Sequence, residues 1–160
     1  QHNQMGTIVE HLECHLVTFR DAGIRYFRNI LVYAKKDHIS RLSISLASHL
    51  AHIHDASVTI VSFVGENEDT SVLEEIKENL LSASKPINVP TSITVIRTAN
   101  ELGMIVSLTV EYDMLLFLDE GGESRIKNLL GRRDNDKIIE GAACSVVSLR
   151  EASNIPGDAK

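Results

Sequence analysis

The sequence is poor in aromatic residues and cysteine, and each shortage excludes a class of protein. It has no Trp, four Phe and three Tyr among 160 residues, so an aromatic platform that stacks the bases of single-stranded nucleic acid is not expected. Cys14 and Cys144 form no CxxC pair, which is typical of two free thiols in a reducing compartment. No apolar run approaches the roughly 18 residues that a membrane-spanning helix needs.

Positive charge is also scarce. Lys and Arg number 16 against 22 Asp and Glu, and the formal net charge is −6. A broad face that binds nucleic-acid phosphates is therefore not expected. The first residues, which do not begin with Met, lack the basic and apolar segments of a signal peptide. These features predict a cytoplasmic protein with an aliphatic core.

The pattern that is present alternates strand-like runs with helical stripes. Short apolar runs typical of buried strands cover residues 29–34, 57–64, 92–97, 113–118 and 144–149. The segments between these runs carry apolar residues at helical spacing. A β-α-β alternation predicts an α/β fold with a doubly wound, five-stranded parallel open sheet and helices on both faces.

Helix N-caps and the N-terminal segment refine this prediction. Asp37 is the expected N-cap of a helix over 38–53, and Ser71 with Glu74 matches a capping box for the next helix. Asn100 is the expected cap of the helix after that. Apolar residues at helical spacing over 7–19 predict an extra N-terminal amphipathic helix. We therefore divide the chain into an N-terminal extension (1–27), a core domain (28–150) and a polar tail (151–160).

Three segments carry a resemblance to a known family. NILVYAKKD begins at Asn29, LASHLAHIHDASVTIVSFV covers 46–64, and YDMLLFL precedes a glycine loop and AACSVVSL. Over residues 28–150 the chain resembles the universal stress protein family. The resemblance implies the family's fold, similar to that of the adenine nucleotide alpha hydrolases. It also implies a homodimer formed by pairing of the final strands of two subunits. The matching residues of this chain are Ser145, Val146, Val147, Ser148 and Leu149.

ATP-binding members of that family carry a phosphate loop of the form G-x-x-G-x9-G-S/T. This chain keeps the second and third glycines, Gly121 and Gly131, but has Leu118 at the first glycine position and Arg132 at the hydroxyl position. The family's Asp after the first strand corresponds to Lys35.

The charges of this region would change which ligand binds. Asp119, Glu120 and Glu123 would repel a triphosphate, whereas Lys35 and the two arginines of the loop could attract another anion. The ligand-binding residues that we predict are Ala34, Lys35, Asp37, Val64, Gly121, Gly122, Gly131, Arg132 and Arg133.

These features predict a non-catalytic regulatory domain with a degenerate nucleotide site and no required cofactor. The alternative is a nucleotide-binding stress protein that acts as an ATP-dependent switch or weak ATPase. Family domains of this type also occur as cytosolic tails of amino-acid permeases and cation–chloride cotransporters. The extension before residue 28 and a likeness of residues 22–37 to the cotransporters suggest a parent transporter as a partner.

Histidines offer two further possibilities. His11 and His15 lie one helical turn apart in the predicted N-terminal helix and could share a metal ion, with an exposed helix face as the simpler interpretation. His49, His52 and His54 gather at the end of the first core helix, where interaction with the helix dipole is the simpler role and a pH sensor or a metal site the alternative. We predict no metal site and no catalytic residue.

Overall fold

The computed structural model describes residues 15–35, 38–119 and 134–151. The strands are β1 (Leu16–Arg20), β2 (Asn29–Tyr33), β3 (Ser57–Val64), β4 (Thr91–Arg97), β5 (Met114–Leu118) and β6 (Ser145–Arg150). The helices are α1 (Arg41–His54), α2 (Thr70–Ala83), α3 (Glu101–Leu108) with a 3-10 turn at Thr109–Glu111, and α4, which includes residues 134–141. All five predicted strands are present, within one residue of their predicted ends.

The sheet has six strands in the order β1-β6-β5-β2-β3-β4. Strands β2 to β6 are parallel, and β1 runs antiparallel to β6. The chain first winds outward from β2 to β3 and β4, and then returns to the other side of β2 with β5. The strand order therefore reverses between β2 and β5, the point where ligands bind in open α/β sheets.

Side chains of the central strands alternate between the two faces of the sheet, as the two-residue period of a strand requires. Ile30 and Val32 pack beneath α1 and α2. Leu31 and Tyr33 point to the opposite face and pack against α3 and α4. Because both faces are covered, β2 and β5 read as continuous apolar runs in the sequence.

The N-terminal helix predicted for residues 7–19 is wrong from residue 16 onward. Leu16–Arg20 forms β1 and pairs with β6 from Leu16↔Arg150 to Arg20↔Val146; residues 7–14 lie outside the described ranges. Val17, Thr18 and Phe19 favour a strand. The unpaired backbone of β6 offers them a hydrogen-bond ladder that an isolated helix turn cannot match.

This pairing also corrects the predicted strand count and the predicted dimer edge. The sheet has six strands instead of five, and β6 lies between β1 and β5. Ser145, Val146, Val147, Ser148 and Leu149 are all buried, at 8% exposure or less. The surface predicted for pairing with a second subunit is therefore already occupied by β1 of the same chain. Homodimer formation itself remains a prediction.

Two predicted helix starts differ in the structure. Helix α1 begins at Arg41 with Ser40 as its N-cap, whose hydroxyl accepts a hydrogen bond from the amide of Ser43; Asp37 lies outside the described residues. Helix α2 follows Asp69, which makes no side-chain cap hydrogen bond. The predicted cap at Asn100 is confirmed, because its Oδ1 accepts from the amide of Gly103 at 2.9 Å. Within the described ranges, no helix is long and apolar enough to span a membrane.

Candidate functional site

The candidate site lies at the carboxyl ends of β2 and β5, where the strand order reverses. Ala34 and Lys35 follow β2, and Asp119 follows β5. The amide of Asp119 donates to the carbonyl of Leu149 at 2.6 Å, which fixes the first residue after β5 against β6. The fold thus brings a lysine and an aspartate to the two sides of the same opening.

A buried asparagine joins these two charged side chains. Lys35 Nζ donates to Asn135 Oδ1 at 3.0 Å, and Asn135 Nδ2 donates to Asp119 Oδ1 at 2.6 Å. Asn135 is only 4% exposed and lies in α4. A buried amide must satisfy both its donor and its acceptor. Lys35, Asn135 and Asp119 therefore form one polar relay that links β2, α4 and β5.

Aromatic rings of the same opening hold the lysine from another side. The Lys35 Nζ atom lies 5.9 Å from the ring centroid of Tyr33 and 5.8 Å from that of Phe117. At these separations the ring quadrupole attracts a cation. The Lys35 side chain is thus partly buried and hydrogen-bonded at the end of β2.

Tyr33 connects this cluster to the next helix. Its hydroxyl donates to Oε1 of Glu101, the first residue of α3. Its ring meets that of Phe63 edge to face, with centroids 5.6 Å apart. The aromatic wall beside Lys35 is therefore fixed at both ends, by a hydrogen bond and by packing.

The predicted residue Val64 ends β3 at a separate small opening. An open cavity of about 340 Å³ is lined by Val64, Glu68 and Glu75, among others. Arg97 fixes the loop at this cavity, since its guanidinium donates to the carbonyl of Glu68 at 3.1 and 3.2 Å and to Thr70 Oγ1 at 3.3 Å. Two carboxylates at its wall make this cavity unfavourable for a polyphosphate.

The structure therefore brings together only some of the predicted site residues. Lys35 lies in the opening, but Ala34 is buried, and its amide and carbonyl are bonded to Val61 and to the Ser62 hydroxyl. The remaining predicted ligand-binding residues lie outside the described ranges: Asp37, Gly121, Gly122, Gly131, Arg132 and Arg133. Their roles stay predictions.

The sequence interpretation missed Asn135 and Glu101. A signal for Asn135 was present, because it lies three residues before Ile138 and seven before Ala142. That spacing puts it on the buried stripe of α4. A polar residue on such a stripe indicates a buried hydrogen-bond network. Glu101 carried no such signal, because an acidic residue in the first turn of a helix is ordinary.

The remaining sequence candidates are not part of this opening. No cluster of three or more potential metal ligands occurs in the described parts of the chain, and His11 lies outside them. His54 packs edge to face against Phe27, with ring centroids 5.0 Å apart. Cys144 is fully buried, and this burial raises the pKa of its thiol to about 11, which agrees with the inert role expected for it.

Comparison with known proteins gives similarity in structure alone. No protein-family model matches the sequence, and no curated protein does. A universal stress protein solved with cAMP superposes with a TM-score of 0.58 at 15% identity, over 79% of this chain and 99% of its own. One from Archaeoglobus fulgidus solved with dAMP gives 0.59 at 15%, over 78% and 99%.

A longer universal stress protein from Archaeoglobus fulgidus DSM 4304 gives a TM-score of 0.64 at 12% identity, over 91% of this chain and 53% of its own. Identities of this size establish the fold and leave ligand and activity to the site itself. The neighbours agree with an α/β fold built on a mostly parallel sheet with helices. This chain therefore has the α/β fold of the universal stress proteins.

Proposed function

We propose that this chain is a non-catalytic regulatory domain of the universal stress type, with a strand-end site that is degenerate for ATP and takes a smaller anion. The observation that carries the proposal is the relay in which Asn135 bonds both Lys35 and Asp119. It holds Lys35 at the position where the family resemblance implies an Asp in ATP-binding members.

The chemistry of lysine supports a change of ligand. An ammonium only donates hydrogen bonds, so it cannot accept one from a ribose hydroxyl as a carboxylate can. The Lys35 ammonium is suited to binding a small anion, and Asn135 and the aromatic rings of Tyr33 and Phe117 keep the lysine side chain in place. Lys35 and Asp119 are bonded to the same amide, an arrangement that suits a binding site better than a proton-transfer pair.

A nucleotide-binding switch is the second candidate. It is favoured by the two structural neighbours that were solved with cAMP and with dAMP. Under this alternative the residues after β2 and β3 would contact the nucleoside, and the segment 120–133 would contact the phosphates.

Assembly is a further part of the proposal. With β1 along the outer side of β6, a homodimer built on this end of the sheet would pair β1 of the two subunits. The structural neighbours named above are universal stress proteins, and none of them supports a parent transporter. The proposal therefore concerns the domain by itself.

The experiment is isothermal titration calorimetry with ATP, AMP, cAMP and inorganic pyrophosphate, on the wild type and on Lys35→Asp. We expect pyrophosphate to bind the wild type more tightly than ATP, and Lys35→Asp to lose pyrophosphate binding. A thermal-shift series provides a second readout, because a ligand at 100 times its Kd raises stability by about 2.7 kcal/mol.

Two results would overturn the proposal. Saturable ATP binding to the wild type that Lys35→Asp does not weaken would favour the nucleotide switch. ATP hydrolysis by the wild type that is lost in a Lys35→Asp variant would make the domain an enzyme. Lys137→Asp, an exposed change on α4, is the matched control for the added negative charge.

A further inference from the structure

A second cavity lies on the face of the sheet that carries α1 and α2. Its volume is about 910 Å³, within the range of small-molecule sites. One wall is the outer face of α1, and the other is the end of α2 with the loop that follows it. Ile39 and Ile44 contribute apolar surface, and Pro86 lies at the loop side.

The polar lining of this cavity consists of basic, histidine, hydroxyl and amide side chains. Arg41, His49 and His52 come from α1, and Lys85 comes from the loop after α2. No Asp or Glu occurs among the lining residues that the structure describes, although acidic residues outnumber Lys and Arg in the chain by 22 to 16. An average patch of this protein's surface would carry more negative than positive charge. The formal charge of the cavity lining is therefore opposite in sign to the net charge of the chain.

Hydroxyl groups extend this pattern along the cavity. Ser45 and Ser48 lie on α1, and Ser82 lies near the end of α2. The three serines thus lie together in the cavity lining. Hydroxyls and guanidinium groups together form the donor set that binds carboxylate or phosphate oxygens.

We propose that this cavity binds a small organic anion with an apolar body, such as a single-chain alkyl phosphate or carboxylate. The head group lies at Lys85, beside the end of α1 that carries His49 and His52, and the apolar body extends along α1 toward Ile39. Charge complementarity and volume select this ligand class: a polyanion would leave the apolar lining uncovered, and a neutral hydrocarbon would leave Lys85 unused.

The test is calorimetric titration with octyl phosphate below its micelle concentration. Inorganic phosphate, octanol and octyltrimethylammonium are the comparison ligands, because they supply the head alone, the body alone and the opposite charge. We expect octyl phosphate to bind at least about tenfold more tightly than each of them. Equal binding of octanol or of the cation would overturn the proposal.

Variants locate the site. Lys85→Gln should weaken octyl phosphate binding by about tenfold, whereas Arg25→Gln and Lys77→Gln, exposed residues outside the cavity, should not change it. Circular dichroism verifies that each variant is folded. Amide chemical shifts provide the second readout and should move in α1 and residues 82–88. Shifts confined to Lys35 and its neighbours would overturn the proposal without affecting the function proposed for the strand-end site.

Discussion

The Nζ atom of Lys35 donates a 3.0 Å hydrogen bond to Oδ1 of Asn135, although 100 positions separate the two residues in the sequence. The contact joins the end of β2 to α4 across the point where the strand order reverses. Asn135 passes the connection on to Asp119 after β5. The candidate site is thus held by one buried amide that belongs to neither of the strands it joins.

Replacing Asn135 tests the relay directly. Asn135→Leu keeps the branched shape but removes the acceptor of Lys35 and the donor to Asp119, so we expect a loss of about 1–3 kcal/mol in the free energy of unfolding. A double-mutant cycle with Lys35→Met should show a coupling of at least about 0.5 kcal/mol. Urea denaturation measures both quantities. Lys137→Met, on the exposed side of α4, is the control, and additive effects of the two relay substitutions would contradict the relay.

The sheet register makes a prediction about β6. Val147 is paired with Phe19 of β1, but Val147 is 4% exposed and Phe19 is 55% exposed. Val147→Asp buries an unpaired charge and should cost about 3 kcal/mol or more, whereas Phe19→Asp should stay within about 1 kcal/mol. Chemical unfolding compares the two variants. Equal stability of both variants would contradict the burial of Val147 in the core. Light scattering on Phe19→Asp tests the proposed homodimer at β1.

Arg97 is expected to control the loop after β3. Its guanidinium donates to the Glu68 carbonyl and to the Thr70 hydroxyl, so Arg97→Ala should speed amide exchange at residues 66–70. The cost in global stability should be only about 1 kcal/mol, because the side chain is exposed. Hydrogen exchange with mass spectrometry checks the change, with Lys77→Ala of α2 as control. Unchanged exchange at the loop would show that these hydrogen bonds do not hold it.

The buried thiol of Cys144 predicts a pH dependence. Burial raises its pKa from 9.0 to about 11, so the folded state keeps the proton that the unfolded state releases. The contribution of the protonated thiol to the free energy of unfolding is fully present below pH 9 and is lost as the pH rises toward 11. In a Cys14→Ser background, the unfolding free energy should fall more steeply above pH 9 with Cys144 than with Cys144→Ala.

Thiol reactivity gives the same residue an independent check. In Cys14→Ser, where Cys144 is the sole thiol, alkylation at pH 8 should be slow for the native protein and fast in 6 M guanidinium, on the order expected for an exposed thiol. Fast labelling of the native protein would contradict the burial of this side chain.

Particular elements show which structural features the sequence predicts and why. The apolar runs of β2, β3 and β5 are continuous because both faces of these strands are buried. Their composition is therefore enough to predict them as strands. Asn100 was recognised as a cap because capping is local and depends on a residue and the next three. The start of α1 was placed too early, because Ser40 and Asp37 are both capable N-caps and only the position of the helix on the sheet chooses between them.

What the sequence by itself determined was the α/β alternation, the parallel strands and the edge of the sheet at which a ligand would bind. These follow from local hydrophobic period and from the short connections between elements. The tertiary structure alone decided that Leu16–Arg20 is a strand, because its conformation depends on the ladder that β6 offers from the other end of the chain. It alone also joined Lys35, Asn135 and Asp119, because no local pattern shows which polar group a buried amide will meet.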